Sequence, residues 1–457
     1  MDAKLNAIIE SMHDEMVETL KKWIRIPSVK GEAAPGAPFG KEVRSMLDTA
    51  LADCDRMGFK TQNFDGYVGQ IDFGEGSDED ALAILAHLDV VPEGDGWKYP
   101  PYGAVIENGR MYGRGTSDDK GPTVAALYAM KAVKDAGIPL RRKVRLIVGC
   151  DEESGWEDIE HYNKVATMPR MGFSPDASYP IINIEKGICR LALHGKLSSE
   201  GLRVIAFNNG ERPNVIPGRA SALIAGDEKT VAMAEAAAQR LNIPLEAKLT
   251  DKGVSLTVTG ISGHAAYPEN ARNANGEMLL LLSALGVQGC LRALADKIGL
   301  DYKGEGLQIS ISDGISGYLT CNLGIIRASE DGVYATLDIR FPVMTNPDMI
   351  IKNVSASLPG MQVEILELKE PHYVPAGSEL VQNLLDAYHE VTGLERKCLY
   401  TGGGTYARSL QEGVAFGASF PGDEDLAHQA NEYIDIEGLY KNIQIFALAI
   451  VKLAGKA

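Results

Sequence analysis

The sequence lacks any long hydrophobic run. Nowhere do about 18 apolar residues follow one another, so no membrane-spanning helix is predicted. Met1 to Glu10 mix charge with Leu5, Ile8 and Ile9, unlike a basic stretch leading into an apolar one, so no secretory signal is expected. Cysteine is sparse. Cys54, Cys150, Cys189, Cys290, Cys321 and Cys398 are scattered among 457 residues and form no Cys-x-x-Cys pair. That spacing excludes an all-thiolate structural zinc site and speaks against a disulfide framework; the six read as reduced, mostly buried thiols of a cytoplasmic protein. Positive charge is short as well: 45 Lys and Arg face 62 Asp and Glu, a formal net charge of −17. A general nucleic-acid binder or a partner of anionic membranes needs the opposite balance. No fixed-period repeat and no low-complexity tract is present.

What remains is the composition of a soluble globular protein, 45% hydrophobic and 23% charged, long enough for two or three domains. Leu5, Ile8, Ile9, Met12, Met16, Leu20, Trp23 and Ile24 recur at helical spacing and predict one amphipathic helix ending before Pro27. Ala81–Ala86, Val144–Val148 and Pro180–Ile184 read as strands, with a helix over Pro122–Ala136 between the first two. Strands alternating with helices predict an α/β fold with a largely parallel sheet, whose ligands gather at strand carboxyl ends. From about residue 187 a second pattern begins. It has helices over Thr230–Leu241, Met278–Ile298 and Asp348–Leu358, and strands over Val254–Val258 and Val333–Phe341, as in a separate α+β unit. Leu380–Val391 and Leu439–Leu453 are helices assigned back to the first domain.

Of the eight histidines, His13, His161, His194, His372 and His389 sit in settings that suggest structural or exposed roles. His87 and Asp89 form His-x-Asp at the end of a predicted strand, where a carboxylate can orient a metal-bound imidazole. Asp118 and Asp119 lie in a glycine-rich turn before a helix; adjacent carboxylates there are either solvated or offset by a cation. Glu152 and Glu153 follow a predicted strand, and such a pair can divide metal coordination from general-base work. Asp176 precedes the third strand and His428 precedes the last helix. Two histidines and three carboxylates, with a glutamate to spare, suit two zinc-like ions roughly 3.5–4 Å apart that share one carboxylate. Calcium, which favours all-oxygen shells, fits less well.

These residues, in this order, resemble the metallopeptidase family of aminoacylase, carboxypeptidase G and carnosinase, and within it the bacterial dipeptidases of the PepV type. The matching segments are AHLDVVPEGDGW (86–97), GRGTSDDKGP (113–122), DEESG (151–155), SPDASYPI (174–181), SGHAAYPENARNA (262–274) and TGGGTYAR (401–408), with the segment around His428. The resemblance implies that His87, Asp118 and Asp176 hold one metal ion and Asp118, Glu153 and His428 the other, with Asp118 bridging and a cis bond between Asp118 and Asp119. It implies that Asp89 orients His87, that Glu152 is the general acid/base, and that His264 steadies the oxyanion. It also implies that Arg340 binds a substrate carboxylate, Asn214 contacts the substrate backbone, and Gly402, Gly403 and Gly404 form a loop of close approach. For Arg340 a buried salt bridge, and for Asn214 a plain turn role, compete with those assignments.

The architecture so implied is a catalytic domain, residues 1–186 and 370–457, with a mixed, largely parallel sheet flanked by helices, and an inserted α+β lid domain over 187–369. A lid of that length favours a monomer. The expected activity is metal-dependent hydrolysis of short peptides with a free amino terminus, most of all dipeptides, by a hydroxide bridging two divalent ions. Zinc leads, and manganese and cobalt also suit. The alternatives are an N-acyl-amino-acid deacylase and a non-catalytic peptide- or metal-binding protein. Glu152 speaks against the last, since a binding site needs no base.

Overall fold

The computed structural model describes residues 3–456, and the chain divides into two compact units. One comprises the chain up to Asn183, Tyr373–Leu399 and the chain from Gly404 on; the other comprises Ile184–His372 with Tyr400–Gly403. Tyr400–Gly403, expected in the catalytic domain, thus belongs to the second unit. No helix among the described residues is long and apolar enough to cross a membrane. All six cysteines are free, five of them buried and Cys398 half-buried.

The first unit is organised by the strand Leu82–His87, buried over its whole length. Leu82, Ile84 and Ala86 face the large hydrophobic core, whereas Ala83 and Leu85 face a smaller cluster with Phe64, Ile147, Tyr162 and Tyr406. This alternation is the period of two of a strand covered on both sides. Its parallel neighbours are Val144–Gly149 and Met171–Ser174, and Glu412–Ala415 runs parallel beside the latter. Val68–Phe73 and Lys60–Phe64 complete one edge in antiparallel pairing. Three parallel strands therefore end side by side. His87 is the last residue of one, Glu152 and Glu153 follow the second, and Asp176 follows the third. The helix Lys120–Asp135 is buried along most of its length and packs on Ile436–Ala454. The turn before it closes tightly: a Cβ on Gly121 would lie 2.0 Å from the Thr116 carbonyl oxygen, so only glycine fits.

Three expectations are corrected here. The first helix is two, Ala3–Ser11 and His13–Ile24, parted at Met12. Leu5, Ile9, Met12, Met16, Leu20 and Trp23 all enter one core, so the apolar period runs through the break unmarked. The helix expected over Met278–Ile298 is also two, Ala274–Ala284 and Cys290–Lys297. Gly286 and Gly289, at φ +97° and +67°, turn the chain out of the helix, and Val287–Gly289 pairs with Leu197–Gly201 instead. The strand expected over Pro180–Ile184 runs from Ile182 to Glu185, and Met171–Ser174, just before Asp176, was not anticipated at all.

The second unit is an eight-stranded antiparallel sheet. Its order is Leu245–Thr250, Gly253–Thr259, Arg219–Ile224, Val204–Asn209, Thr320–Ser329, Gly332–Phe341, Gly187–Gly195 and Gln362–Lys369. The helices Glu228–Leu241, Ala274–Ala284, Cys290–Lys297 and Pro347–Ser357 supply the rest of a separate core. Asp227 starts the first of them with a reciprocal cap: its carboxylate accepts the Thr230 N–H while the Thr230 hydroxyl meets the Asp227 backbone. Within this unit a short ladder pairs Val215 with His264, so Asn214 and the lid histidine, far apart in sequence, are neighbours.

Candidate functional site

Asp118 lies between two histidines. Its Oδ1 is 3.0 Å from His87 Nε2 and its Oδ2 is 3.1 Å from His428 Nε2. His428 Nε2 is also 2.9 Å from a Glu153 carboxylate oxygen, and His87 Nε2 is 3.6 Å from Asp176 Oδ2. Ligand atoms of His87, Glu152 and Asp176 lie within 4.8 Å of one another, as do those of His87, Asp118 and Glu153. The structure therefore brings together, at one strand edge of the first unit, every residue assigned to the two metal positions, and Glu152 with them. The Asp118–Asp119 peptide bond is cis. Asp119 faces the other way. One of its oxygens accepts the His87 N–H at 3.1 Å, and the other has no hydrogen-bond partner.

The electrostatics are those of carboxylates crowded in low dielectric. Burial, then the nearby Asp176, Glu153 and Asp118 charges, push Glu152 well above the usual carboxylate range; burial likewise raises Glu153 and Asp176. Asp118 is the exception. Burial works against its charge, but hydrogen bonds from His428 and His87 outweigh it and hold Asp118 below the ordinary value. In turn, hydrogen bonds to Asp118 and Glu153 raise His428 to about 10. Burial opposes charge on His87, yet Asp118, Asp176 and Asp89 carry it well above its usual value. Carboxylates crowded this closely make a site that favours positive charge. Two imidazole nitrogens with carboxylate oxygens form the donor set of a zinc-type divalent ion, so these residues fit the implied metals.

Asp89 does more than was expected of it. His87 Nδ1 lies 3.0 Å from the Asp89 backbone carbonyl and 3.5 Å from its carboxylate, so the carbonyl is the nearer partner of the ring. The carboxylate accepts instead the backbone N–H groups of Glu152 and Glu153, at 3.2 and 3.1 Å.

Apart from Gly404, the remaining candidates belong to the second unit. His264 has an exposed ring whose Nδ1 accepts the Ala266 N–H at 3.2 Å. That bond assigns the proton of the neutral ring to Nε2, the nitrogen free to donate. Partial desolvation and then the Arg340 charge lower its pKa. Asn214 is a half-buried turn residue whose carbonyl accepts the Ala265 N–H at 2.9 Å. Arg340 is buried in a two-point ion pair with Asp338, at 2.5 and 3.1 Å, and donates Nη1–H to the Gly402 carbonyl at 2.7 Å. The salt-bridge reading thus describes its present contacts, and one N–H remains on each terminal nitrogen. Of the three glycines, Gly402 alone is tightly approached: a Cβ there would lie 2.6 Å from that of Ala266, whereas Gly403 and Gly404 have nothing closer than 3.4 Å.

The model of peptidase family M20/M25/M40 matches residues 83–452. The chain belongs to this family. Among curated M20-type relatives it is 40% identical, over 96% of its length and 97% of the other's, to a Bacillus subtilis (strain 168) protein named "Putative dipeptidase YtjP". Its fold is similar to that of human carnosine dipeptidase 1, with a TM-score of 0.60 at 17% identity over 99% of each chain. It is similar in the same degree to the dipeptidase Dug1p from Saccharomyces cerevisiae, with a TM-score of 0.60 at 16% identity over 98% of each.

Two residues near this M20 centre escaped the sequence reading. Tyr406, inside the quoted TGGGTYAR segment, is buried with its ring 6.2 Å from that of His87, and its hydroxyl hydrogen-bonds Asp158. Asp158 also accepts the Cys150 and Asp151 N–H groups at 2.6 and 2.9 Å, fixing the chain just before Glu152. A tyrosine after a glycine run and an aspartate in a helix carry no local signal of such roles.

Proposed function

We propose that the protein is a dipeptidase that hydrolyses the peptide bond of short peptides with a free amino terminus, using two divalent ions, zinc first among them. One observation carries this reading: the Asp118 carboxylate lies between His87 and His428 while Glu153 and Asp176 stand beside them. Two ions bound there would supply a polarised scissile carbonyl and an activated water. His87, Asp118 and Asp176 would hold one ion, and Asp118, Glu153 and His428 the other. Glu152 is kept out of the ligand set for a different task. Its raised proton affinity suits it to take a proton from the attacking water and deliver it to the leaving amine. His264 offers Nε2–H to the developing oxyanion. Arg340 offers its two remaining N–H groups to the substrate carboxylate, with Asn214 and the Gly402–Gly404 loop beside the peptide backbone. The dipeptidase names of relatives covering nearly the whole chain support the substrate class. The protein is assigned to the cytoplasm and acts as a monomer.

The test is release of free amino acids from a panel of dipeptides and of N-acetylated amino acids, before and after chelation and after zinc, manganese or cobalt is restored. Metal-restored cleavage of the dipeptides is expected. Cleavage confined to the acetylated compounds would make the protein a deacylase, and no cleavage of either would leave a binding protein.

A further inference from the structure

Glu432 lies four residues after His428, and its side chain is fully buried. Both oxygens of its carboxylate are met by donors from one stretch of chain. One oxygen accepts the backbone N–H groups of Ser117 at 2.9 Å and Asp118 at 3.2 Å, and the Ser117 hydroxyl at 3.1 Å. The other accepts the Gly115 N–H at 3.1 Å and pairs with Arg114, itself buried, at 2.7 Å. Five donors from residues 114–118 thus converge on one side chain. The backbone joins in, as the Gly113 N–H donates to the Glu432 carbonyl at 2.9 Å. Next door, the Asn431 side chain accepts the Lys98 N–H at 2.6 Å and donates to the Gly96 carbonyl at 3.3 Å.

A buried carboxylate is stable only when its oxygens are filled, and a filled one ties its donors into a single geometry. The donors here are the backbone of Asp118 and the turn that leads to it. The carboxylate itself hangs from the segment that carries His428. We propose that Glu432 is a positioning residue of the metal centre: it fixes the spacing between Asp118 and His428 and thereby builds the ion position those two share. This rests on the metal-ligand reading given above. The ion position of His87 and Asp176 depends on Glu432 less, since only its shared ligand, Asp118, is touched.

The test is zinc binding to the full chain, measured by competition with a chromophoric chelator, with melting temperature followed alongside. In Glu432→Gln, where one oxygen becomes an amide that cannot accept, one of the two zinc affinities should fall about 10–100-fold, the usual effect of losing a partner that orients a ligand. The other affinity should change by less than about threefold. Glu432→Asp, which keeps the charge but shortens the reach, should weaken the same ion, and excess zinc should restore kcat in both variants with KM unchanged. A folded Glu432→Gln chain that binds both ions at wild-type affinity and merely melts earlier would make Glu432 an ordinary structural residue and overturn the proposal. If Glu432→Gln does not fold, Glu432→Asp decides. Unchanged affinities there, or failure of that variant to fold as well, would overturn it too. A wild-type chain that takes up fewer than two ions would instead sink the metal-ligand reading, and this proposal with it.

Discussion

Asp89 holds Glu153 by its backbone: Asp89 Oδ2 accepts the Glu153 N–H at 3.1 Å. Its other oxygen accepts the Glu152 N–H at 3.2 Å and lies 3.5 Å from His87 Nδ1. One side chain therefore aligns a proposed ligand of each ion and the proposed base between them. Such a residue differs from a simple partner of His87, because its loss disturbs two strand ends at once.

Asp89→Asn preserves shape but turns one acceptor into a donor facing a backbone N–H. Zinc affinity is expected to fall about 10–100-fold, as for other residues that orient ligands. Equilibrium dialysis against buffered zinc measures it. A variant with unchanged affinity for both ions would reduce Asp89 to a helper of the His87 ring.

Glu152→Gln should keep both metal ions and lose most turnover, since Glu152 supplies no ligand in the proposed assignment. A general acid/base is worth ~10²–10⁴-fold, and the loss should appear in kcat. Steady-state kinetics with metal-replete enzyme decide it; near-normal kcat would remove Glu152 from the mechanism.

His264→Ala should fold, bind both ions and turn over about 10²–10³-fold more slowly, the cost of one oxyanion donor. His264 lies in the second unit, and its hydrogen bond from Ala266 leaves Nε2 as the donor. Elemental analysis separates the alternatives: loss of an ion in this variant would make His264 a ligand.

A monomer implies that His264 serves its own chain. Mixing inactive Glu152→Ala and His264→Ala chains should then restore no activity, and light scattering should give the mass of one chain. Recovery on mixing, with a dimer mass, would show that the site borrows its histidine from a second copy.

The legible parts of the molecule were those in which one element carries its own signal. The apolar run before His87, the glycines around Asp118 and the paired glutamates after Val148 each mark a strand end or turn, and the structure gathers their side chains at one sheet edge. Met171–Ser174 was illegible because it is four residues long and includes Gly172, whose bare Cα lets the neighbouring Ala83 carbonyl approach; a Cβ there would lie 2.2 Å from that oxygen. The break at Met12 was hidden because burial continues across it. Arg340 illustrates a different limit. Sequence pattern supplies a guanidinium, but only the fold reveals that Asp338 and the Gly402 carbonyl already occupy part of it. Glu432 stands four residues after His428, yet its partners lie more than 300 residues away, beyond the reach of any local pattern.

The number of divalent ions per chain, with Asp118 intact and with Asp118→Asn, bears most directly on the proposal that two ions share this carboxylate. Metal-stripped protein would be reconstituted with zinc, gel-filtered and assayed by inductively coupled plasma mass spectrometry. Two ions per wild-type chain are expected, and one or none in Asp118→Asn, because that residue lies between His87 and His428. A wild-type chain holding fewer than two ions, or an Asp118→Asn chain holding two at unchanged affinity, would refute the shared-carboxylate centre.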